Sequence, residues 1–178
     1  SLKITQIYTL GATSQVISFQ VTMENTGAST ISGVKYARGI DPDVDSNGLA
    51  GSTSSTNNVR GSGSIAATDI VLGTGPVSSR VIGLYSNSTF THNTSVTGWT
   101  TDPSTYLAGT TVGTGDNTIG IGFDLGSFVA GQVKSFSFAY VFAASAASLQ
   151  ASVDQVPVSN AAPTLTTLAA PVTGTTED

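Results

Sequence analysis

The chain has 178 residues, of which 10% are charged, with six Lys and Arg against eleven Asp and Glu and a formal net charge of −5. This length suits one domain with a substantial core, and the acidic balance excludes nucleic acid as a ligand, because phosphates require clustered basic residues. The chain has no Cys, which excludes disulfides and a cysteine nucleophile.

The chain opens with strand-like sequence, and apolar and polar side chains alternate along residues 17–24. Such period-two alternation predicts strands that bury one face. Asn25-Thr26-Gly27 supplies a turn, and residues 31–37 are predicted to form the returning strand. Further strands are predicted at residues 65–72, 80–85, 119–125 and 133–142.

An acidic run follows the returning strand, with three carboxylates in five residues at Asp41, Asp43 and Asp45. Alternate residues of an extended segment point the same way, and Pro42 favours extended backbone before it, so these carboxylates are expected to converge on one ion. Ca²⁺ prefers such oxygen ligands. An EF-hand is excluded, because its Gly and Glu positions hold Ser46 and Ser52; an exposed acidic turn is the alternative.

Two long irregular stretches are predicted, at residues 46–64 and 93–116. Loops of this length in a compact domain are usually functional or disordered. The second contains Trp99 and Tyr106 and leads into Asp116 and Asn117, which offer a carboxylate and an amide oxygen at the start of a strand. Asp69, Asp102 and Asp124 are further possible oxygen ligands.

The last strand places an aromatic row on one face, which is predicted to belong to the core: Phe136, Phe138, Tyr140 and Phe142. Residues 143–153 are rich in Ala and predict one short helix. The fold class is therefore all-β, an antiparallel β-sandwich with long Gly/Ser/Asn-rich loops and one short helix near the C-terminus. We assign residues 1–156 to this domain and residues 157–178 to a linker and the start of a following repeat.

Enzymatic chemistry has little support in the sequence. His92 is the only histidine, it lies in a predicted polar loop as an ordinary surface residue, and no Gly-x-Ser-x-Gly motif accompanies it. Glu24 and Glu177 are the only glutamates, so a glycosidase would need a pair of aspartates. We expect a protein that is not an enzyme.

Several stretches together resemble the calcium-dependent peptide-binding domain of giant repeats-in-toxin (RTX) adhesins of Gram-negative bacteria. The resemblance covers residues 2–156, and its most specific parts are the Arg38–Asp45 run RGIDPDVD and the strand entry GDNTIG at residues 115–120. It implies an extracellular cell-surface adhesion module that binds the C-terminal residues of a protein through Ca²⁺. The domain itself is not expected to insert into a membrane.

Carried onto this sequence, the resemblance implies two sets of site residues. The expected calcium ligands are Asp41, Asp43, Asp45, Asn57, Asp116 and Asn117. The expected peptide-binding residues are Arg38, Thr56, Asn57 and Asn58.

Two other functions stay open at this point. A calcium-dependent lectin-like module would bind sugar hydroxyls in place of a carboxylate, with Trp99 and Tyr106 available for stacking, and a structural spacer would use calcium for stiffness alone. We expect a monomer, with self-association through the acidic residues 175–178 as an alternative that follows from the peptide-binding hypothesis.

Overall fold

The computed structural model describes residues 1–46, 48 and 51–157. The strands are β1 (Leu2–Leu10), β2 (Val16–Asn25), β3 (Ile31–Ile40), β4 (Asn57–Arg60), β5 (Ile70–Thr74), β6 (Val81–Tyr85), β7 (His92–Thr97), β8 (Thr118–Phe128) and β9 (Val133–Ala143). The helices are α1 (Pro103–Leu107) and α2 (Leu149–Val153), the second preceded by a 3₁₀ turn at Ala146–Ser148.

The strands form two antiparallel sheets that pack face to face. Sheet A has six strands in the order β1-β2-β9-β6-β5-β4, and sheet B has three in the order β3-β8-β7. This arrangement confirms the predicted β-sandwich with a short helix near the C-terminus. In the part of the chain that the structure describes, no helix has the length and apolar character needed to cross a membrane. The predicted tail after Pro157 lies outside the described residues.

The core between the sheets confirms the predicted aromatic row. Phe136 and Phe138 are buried, Tyr140 is nearly so, and Phe142 is half-buried against the same cluster. Phe123 of β8 meets Phe136 with ring centroids 4.6 Å apart. Alternation along β8 and β9 therefore sends the large side chains inward, where burying each one stabilises the fold by about 1.5–3 kcal/mol.

The predicted irregular stretch at residues 93–116 contains β7 and α1, so that prediction was wrong. Strand β7 lacks apolar alternation because two neighbouring buried residues are polar: Thr94 faces the core, and Ser95 faces α1 on the outer side. Thr94 Oγ1 donates to the Ala67 carbonyl at 2.6 Å, and Ser95 Oγ donates to the Tyr106 carbonyl at 2.8 Å. Buried polar groups that are satisfied in this way give no hydrophobic period.

Three other predicted elements also differ from the structure. The loop at residues 46–64 contains the short strand β4, and β5 begins at Ile70 instead of residue 65. The predicted helix at residues 143–153 is limited to the 3₁₀ turn and α2. β4 also lacks apolar alternation, because its buried residue Asn58 is polar.

Helix α1 packs on the outer face of sheet B, on a platform of glycines. Gly39 of β3 and Gly120 of β8 are register partners, and the ring of Tyr106 lies directly on them. A Cβ at Gly39 would come within 2.8 Å of Tyr106 Cζ, and one at Gly120 would overlap the ring. The glycines therefore permit an approach that any side chain would prevent. Tyr106 is consequently buried.

Candidate metal centre

Two loops meet at the end of sheet B where β3 ends and β8 begins. Ile40 pairs with Ile119, so Asp41 leaves the sheet beside the point where Asp116 approaches it. Carboxylate oxygens of Asp41, Asp43 and Asp116 all lie within 4.8 Å of one another, and all three residues are exposed. Ligands held about 2.3–2.6 Å from one Ca²⁺ can be up to about 5 Å apart, so these three groups could hold a metal ion.

Pro42 fixes the position of the acidic loop. It is buried, and a Cβ added to Gly73 of β5 would come within 2.8 Å of the Pro42 ring. Because neighbouring residues of extended backbone point to opposite sides, burial of Pro42 turns Asp41 and Asp43 outward together. The sequence Asp-Pro-Asp thus anchors the loop with its middle residue and presents a carboxylate on each side.

Asp45 does not join this pair, although alternation predicted that it would. The Ser46 N–H donates to the Asp43 carbonyl at 3.0 Å, which closes a turn and ends the alternation after Asp43. The buried Asp45 carboxylate instead accepts the N–H groups of Val77 at 2.8 Å and Ser78 at 3.2 Å. Asp45 therefore attaches the acidic loop to the turn between β5 and β6.

The three clustered carboxylates carry unbalanced negative charge. Among the described residues, none of them forms an ion pair with Lys or Arg. Partial desolvation, followed by the charges of Asp43 and Asp116, raises the pKa of Asp41. Like charges brought together in this way make a cation favourable at the site.

Of the three predicted peptide-binding residues at positions 56–58, two are buried and one is exposed. Thr56 and Asn58 are buried: Thr56 Oγ1 donates to Asn58 Oδ1 at 2.8 Å, and Asn58 Nδ2 donates to the carbonyls of Gly113 and Gly115, each at 3.2 Å. Asn57 is exposed, and its Oδ1 accepts from Thr114 Oγ1 at 3.2 Å. These bonds join the end of the loop before β4, and the first two residues of β4, to the loop before β8.

Asp116 and Asn117 lie on the second of those loops. The Asp116 carboxylate accepts from Ser54 Oγ at 3.0 Å, so both long loops contribute to its position. Asn117 is half-buried, and its Nδ2 donates to the Gly113 carbonyl at 3.5 Å. This bond closes the loop through the amide nitrogen of Asn117 and does not involve Asn117 Oδ1.

A groove lies on the other side of the acidic loop. It has a volume of about 420 Å³, and its lining includes Pro42 and Val44 of the loop, Arg80 before β6, and Phe142 of β9. This mixture of apolar walls and one cation is common in sites that hold a side chain of a ligand.

His92 is not the surface loop residue that the sequence predicted. It begins β7, its side chain is 9% exposed, and its ring lies 5.5 Å from that of Phe123. Its Nδ1 lies 2.7 Å from the Phe90 carbonyl, and its Nε2 lies 3.3 Å from Asp69 Oδ1. His92 of sheet B thus lies against Asp69, the residue before β5 of sheet A.

The remaining aspartates that the sequence offered as oxygen ligands serve local structure. Asp102 caps α1 by accepting the Ser104 N–H at 2.8 Å, directly before Pro103. Asp124 Oδ1 accepts the Gly126 N–H at 2.9 Å. The Asp-Pro pair is a recognised helix start, so this signal for α1 was present in the sequence.

We expect Asp45→Ala to destabilise the domain at neutral pH, because the N–H groups of Val77 and Ser78 lose the carboxylate that accepts them. Hydrogen bonds from Ser78 and Val77 lower the pKa of Asp45. A group with a depressed pKa stabilises the fold above its unfolded value, and that contribution is lost as pH falls through the folded value. The difference in urea midpoint between wild type and Asp45→Ala should therefore shrink from pH 7 to strongly acidic pH.

Asp124→Ala is the control for this comparison, since it removes the same charge from an exposed position on β8. A wild-type advantage over Asp45→Ala that stays constant down to the acidic limit would show that the Asp45 carboxylate is not the acceptor that stabilises the turn.

Comparison with known proteins gives no family assignment. No protein-family model matches the chain, and no curated protein matches it. The resemblance to RTX adhesins therefore stays a prediction from the quoted motifs, and the geometry of the site has to support any functional proposal.

Proposed function

We propose that this domain is a non-catalytic binding module that uses Ca²⁺ at Asp41, Asp43 and Asp116 to hold the C-terminal carboxylate of a protein ligand. The observation that carries the proposal is the convergence of three exposed carboxylates, without a basic partner, from two separate loops. The setting is that of an RTX adhesin on the surface of a Gram-negative bacterium, as the sequence resemblance implies.

The ligand set favours Ca²⁺ over other common cations. All three groups are carboxylates, which suits a hard cation, and no Cys is present for a softer one. Ca²⁺ takes about six to eight oxygens, so three carboxylates leave coordination positions open even when some bind through both oxygens. A ligand carboxylate in one of those positions would also reduce the positive charge that remains on the ion.

The surroundings of the site support a peptide as the ligand. The exposed Asn57 begins β4 and bonds to Thr114, two residues before Asp116, and the groove at Pro42, Val44 and Arg80 adjoins the acidic loop. The amide of Asn57 could orient a peptide backbone, while the groove could accept an apolar side chain. Buried Thr56 and Asn58 then act as supports for this surface.

The lectin-like alternative loses one of its two aromatic candidates. Tyr106 is buried under α1 and cannot stack on a sugar, whereas Trp99 is 71% exposed. A single exposed indole is compatible with sugar binding and also with an ordinary surface position.

A peptide array tests the proposal directly. Each sequence is presented with a free and with an amidated C-terminus, in Ca²⁺ and in chelator, and probed with wild type, Asp43→Asn and Asp124→Asn. We expect binding only to free C-termini, only with Ca²⁺, and only by wild type and Asp124→Asn. Binding in excess chelator, or equal binding to amidated peptides, would contradict the proposal; a positive glycan array with a negative peptide array would favour the lectin.

A further inference from the structure

Sheet A has an uncovered area on its inner face. Sheet B has only three strands against six, so it leaves part of the edge strand β1 uncovered. Tyr8 and Leu10 of β1 are register partners of Phe19 and Ile17 on β2, and each pair shares a face. Phe19 stacks on the core residue Phe138 with centroids 4.8 Å apart, which identifies this face as the inner one.

This area is apolar and strongly exposed. Tyr8 is 73% exposed and Leu10 is 62% exposed, while Ile17 and Phe19 are half-buried. We call these four residues the inner-face patch. Contiguous exposed apolar groups of this kind mark interaction sites more often than ordinary surface does.

Arg38 of β3 lies at the border of the patch. Its guanidinium carbon is 6.0 Å from the ring centroid of Phe19 and 5.6 Å from that of Tyr140, and Arg38 Nε donates to the Tyr140 hydroxyl. The residue is exposed, and it has no acidic partner among the described residues. The aromatic rings therefore hold a cation in a fixed position while its charge remains unpaired.

We call the space between Tyr8 and Leu10 of β1 and Arg38 of β3 the wedge. Toward the start of β1, Gln6 Nε2 donates to the Tyr36 hydroxyl at 3.3 Å, so β3 reaches β1 there. Two residues later on β3, Arg38 lies over Phe19 and Tyr140 of β2 and β9 instead. β3 is also an edge strand of sheet B, so one side of its backbone pairs with no other strand of that sheet.

We propose that this wedge binds an extended acidic peptide segment of a partner protein, with an apolar side chain on the inner-face patch and an Asp or Glu side chain at Arg38. Residues two apart in an extended chain point to the same side, about 6.5–7 Å from each other. Tyr8 and Arg38 each lie 6.0 Å from Phe19, so one such pair of side chains can reach both.

Charge favours this occupant over a second copy of the chain. β1 contains no Asp or Glu, so pairing of two β1 edges would bury both patches and leave each Arg38 without a carboxylate. A planar guanidinium already positioned on two rings recognises a carboxylate with little further loss of conformational freedom. The proposed ligand binds through its side chains and without metal, so this inference does not rest on the calcium site.

The test is selection from a phage-displayed library of random linear peptides, fused so that no peptide has a free C-terminus, on the full chain in chelator. We expect enriched sequences with an apolar or aromatic residue two positions from Asp or Glu. Synthetic peptides blocked at both ends should bind wild type and Asp43→Asn alike. Arg38→Gln and Tyr8→Ser should each weaken binding by at least about tenfold, the size of one lost charge-assisted hydrogen bond or aromatic contact.

Ile7→Ser is the matched control, since Ile7 is the neighbour of Tyr8, is 43% exposed, and faces the opposite side of β1. It should bind as wild type does. No enrichment, equal binding by Tyr8→Ser and Arg38→Gln, or loss of binding in Ile7→Ser alone would overturn the proposal. Concentration-dependent dimers that Tyr8→Ser abolishes would instead identify a second copy as the occupant.

Discussion

Calcium should raise the melting temperature of the wild-type domain by about 5–10 °C when its concentration is about a hundredfold above the dissociation constant. At that ratio a ligand that binds only the folded state stabilises it by about 2.7 kcal/mol. For a domain of this size each kcal/mol corresponds to about 2–4 °C. Differential scanning calorimetry in Ca²⁺ and in chelator measures the shift.

Replacing one carboxylate of the cluster should change the melting temperature differently in chelator and in Ca²⁺. Asp41→Asn and Asp43→Asn each remove a charge from a site where Asp41, Asp43 and Asp116 repel one another. In chelator these variants should melt above wild type, because that repulsion is relieved. In Ca²⁺ they should show little shift, because a carboxylate ligand is missing.

Asp124→Asn is the matched control for charge. Asp124 is exposed on β8, and an Asn there can still accept the Gly126 N–H. It should respond to Ca²⁺ as wild type does. A full calcium response in Asp43→Asn would place the ion elsewhere, and a lower melting temperature of that variant in chelator would show that the cluster is not repulsive. Mg²⁺ should give a smaller shift, because it requires stricter octahedral geometry.

The stability of the fold should depend on pH through Asp41. Desolvation, together with the charges of Asp43 and Asp116, raises the pKa of this residue. Without calcium the folded state binds the proton more tightly than the unfolded state. The contribution of Asp41 to stability is then greatest at acidic pH and is lost as pH rises through the raised value. With calcium the sign reverses, because protonation removes a ligand. Subtracting the profile of Asp41→Asn from that of wild type isolates this dependence.

Gly120→Ala should be the most damaging single methyl addition near the site, with a loss of about 3 kcal/mol and a melting temperature lower by about 6–12 °C. The added Cβ would overlap the ring of Tyr106, which is buried and held by α1 on the other side. A ring has no alternative rotamer in such a closed space, so either α1 or β8 has to move. Thermal and urea unfolding measure the loss.

A double-mutant cycle separates this overlap from the cost of Ala in a strand. Tyr106→Ala alone should cost about 3–5 kcal/mol, since it empties the space above Gly39 and Gly120. In that background Gly120→Ala should cost less than about 1 kcal/mol, because the three atoms nearest the added methyl all belong to Tyr106. Equal costs in both backgrounds would show that Tyr106 does not determine the need for glycine.

Gly98→Ala provides the comparison at a glycine without neighbours. No heavy atom of the described residues lies within 4 Å of a Cβ built there, so the change should stay within about 0.5 kcal/mol of wild type. Gly120→Ala should also weaken the calcium response, since Gly120 lies four residues after Asp116 and pairs with Gly39, two residues before Asp41.

The sequence alone was sufficient for the sandwich. Alternation along β2, β8 and β9 depends only on which residues are apolar, and a strand that buries one face has no other way to arrange them. It was also sufficient for the proximity of Asp41 and Asp43, because Pro42 favours extended backbone, in which alternate residues point the same way. Where polar residues face the interior, as in β4 and β7, the same rule gave loops instead of strands.

Tertiary structure decided which carboxylates meet. Asp41 and Asp116 are far apart in sequence, and only the pairing of β3 with β8 brings them together. The chain turns after Asp43, and the Asp45 carboxylate instead accepts two N–H groups of the distant turn between β5 and β6. Strand pairing and hydrogen bonds to a distant turn are long-range effects, so local spacing could propose the acidic site but could not determine its members.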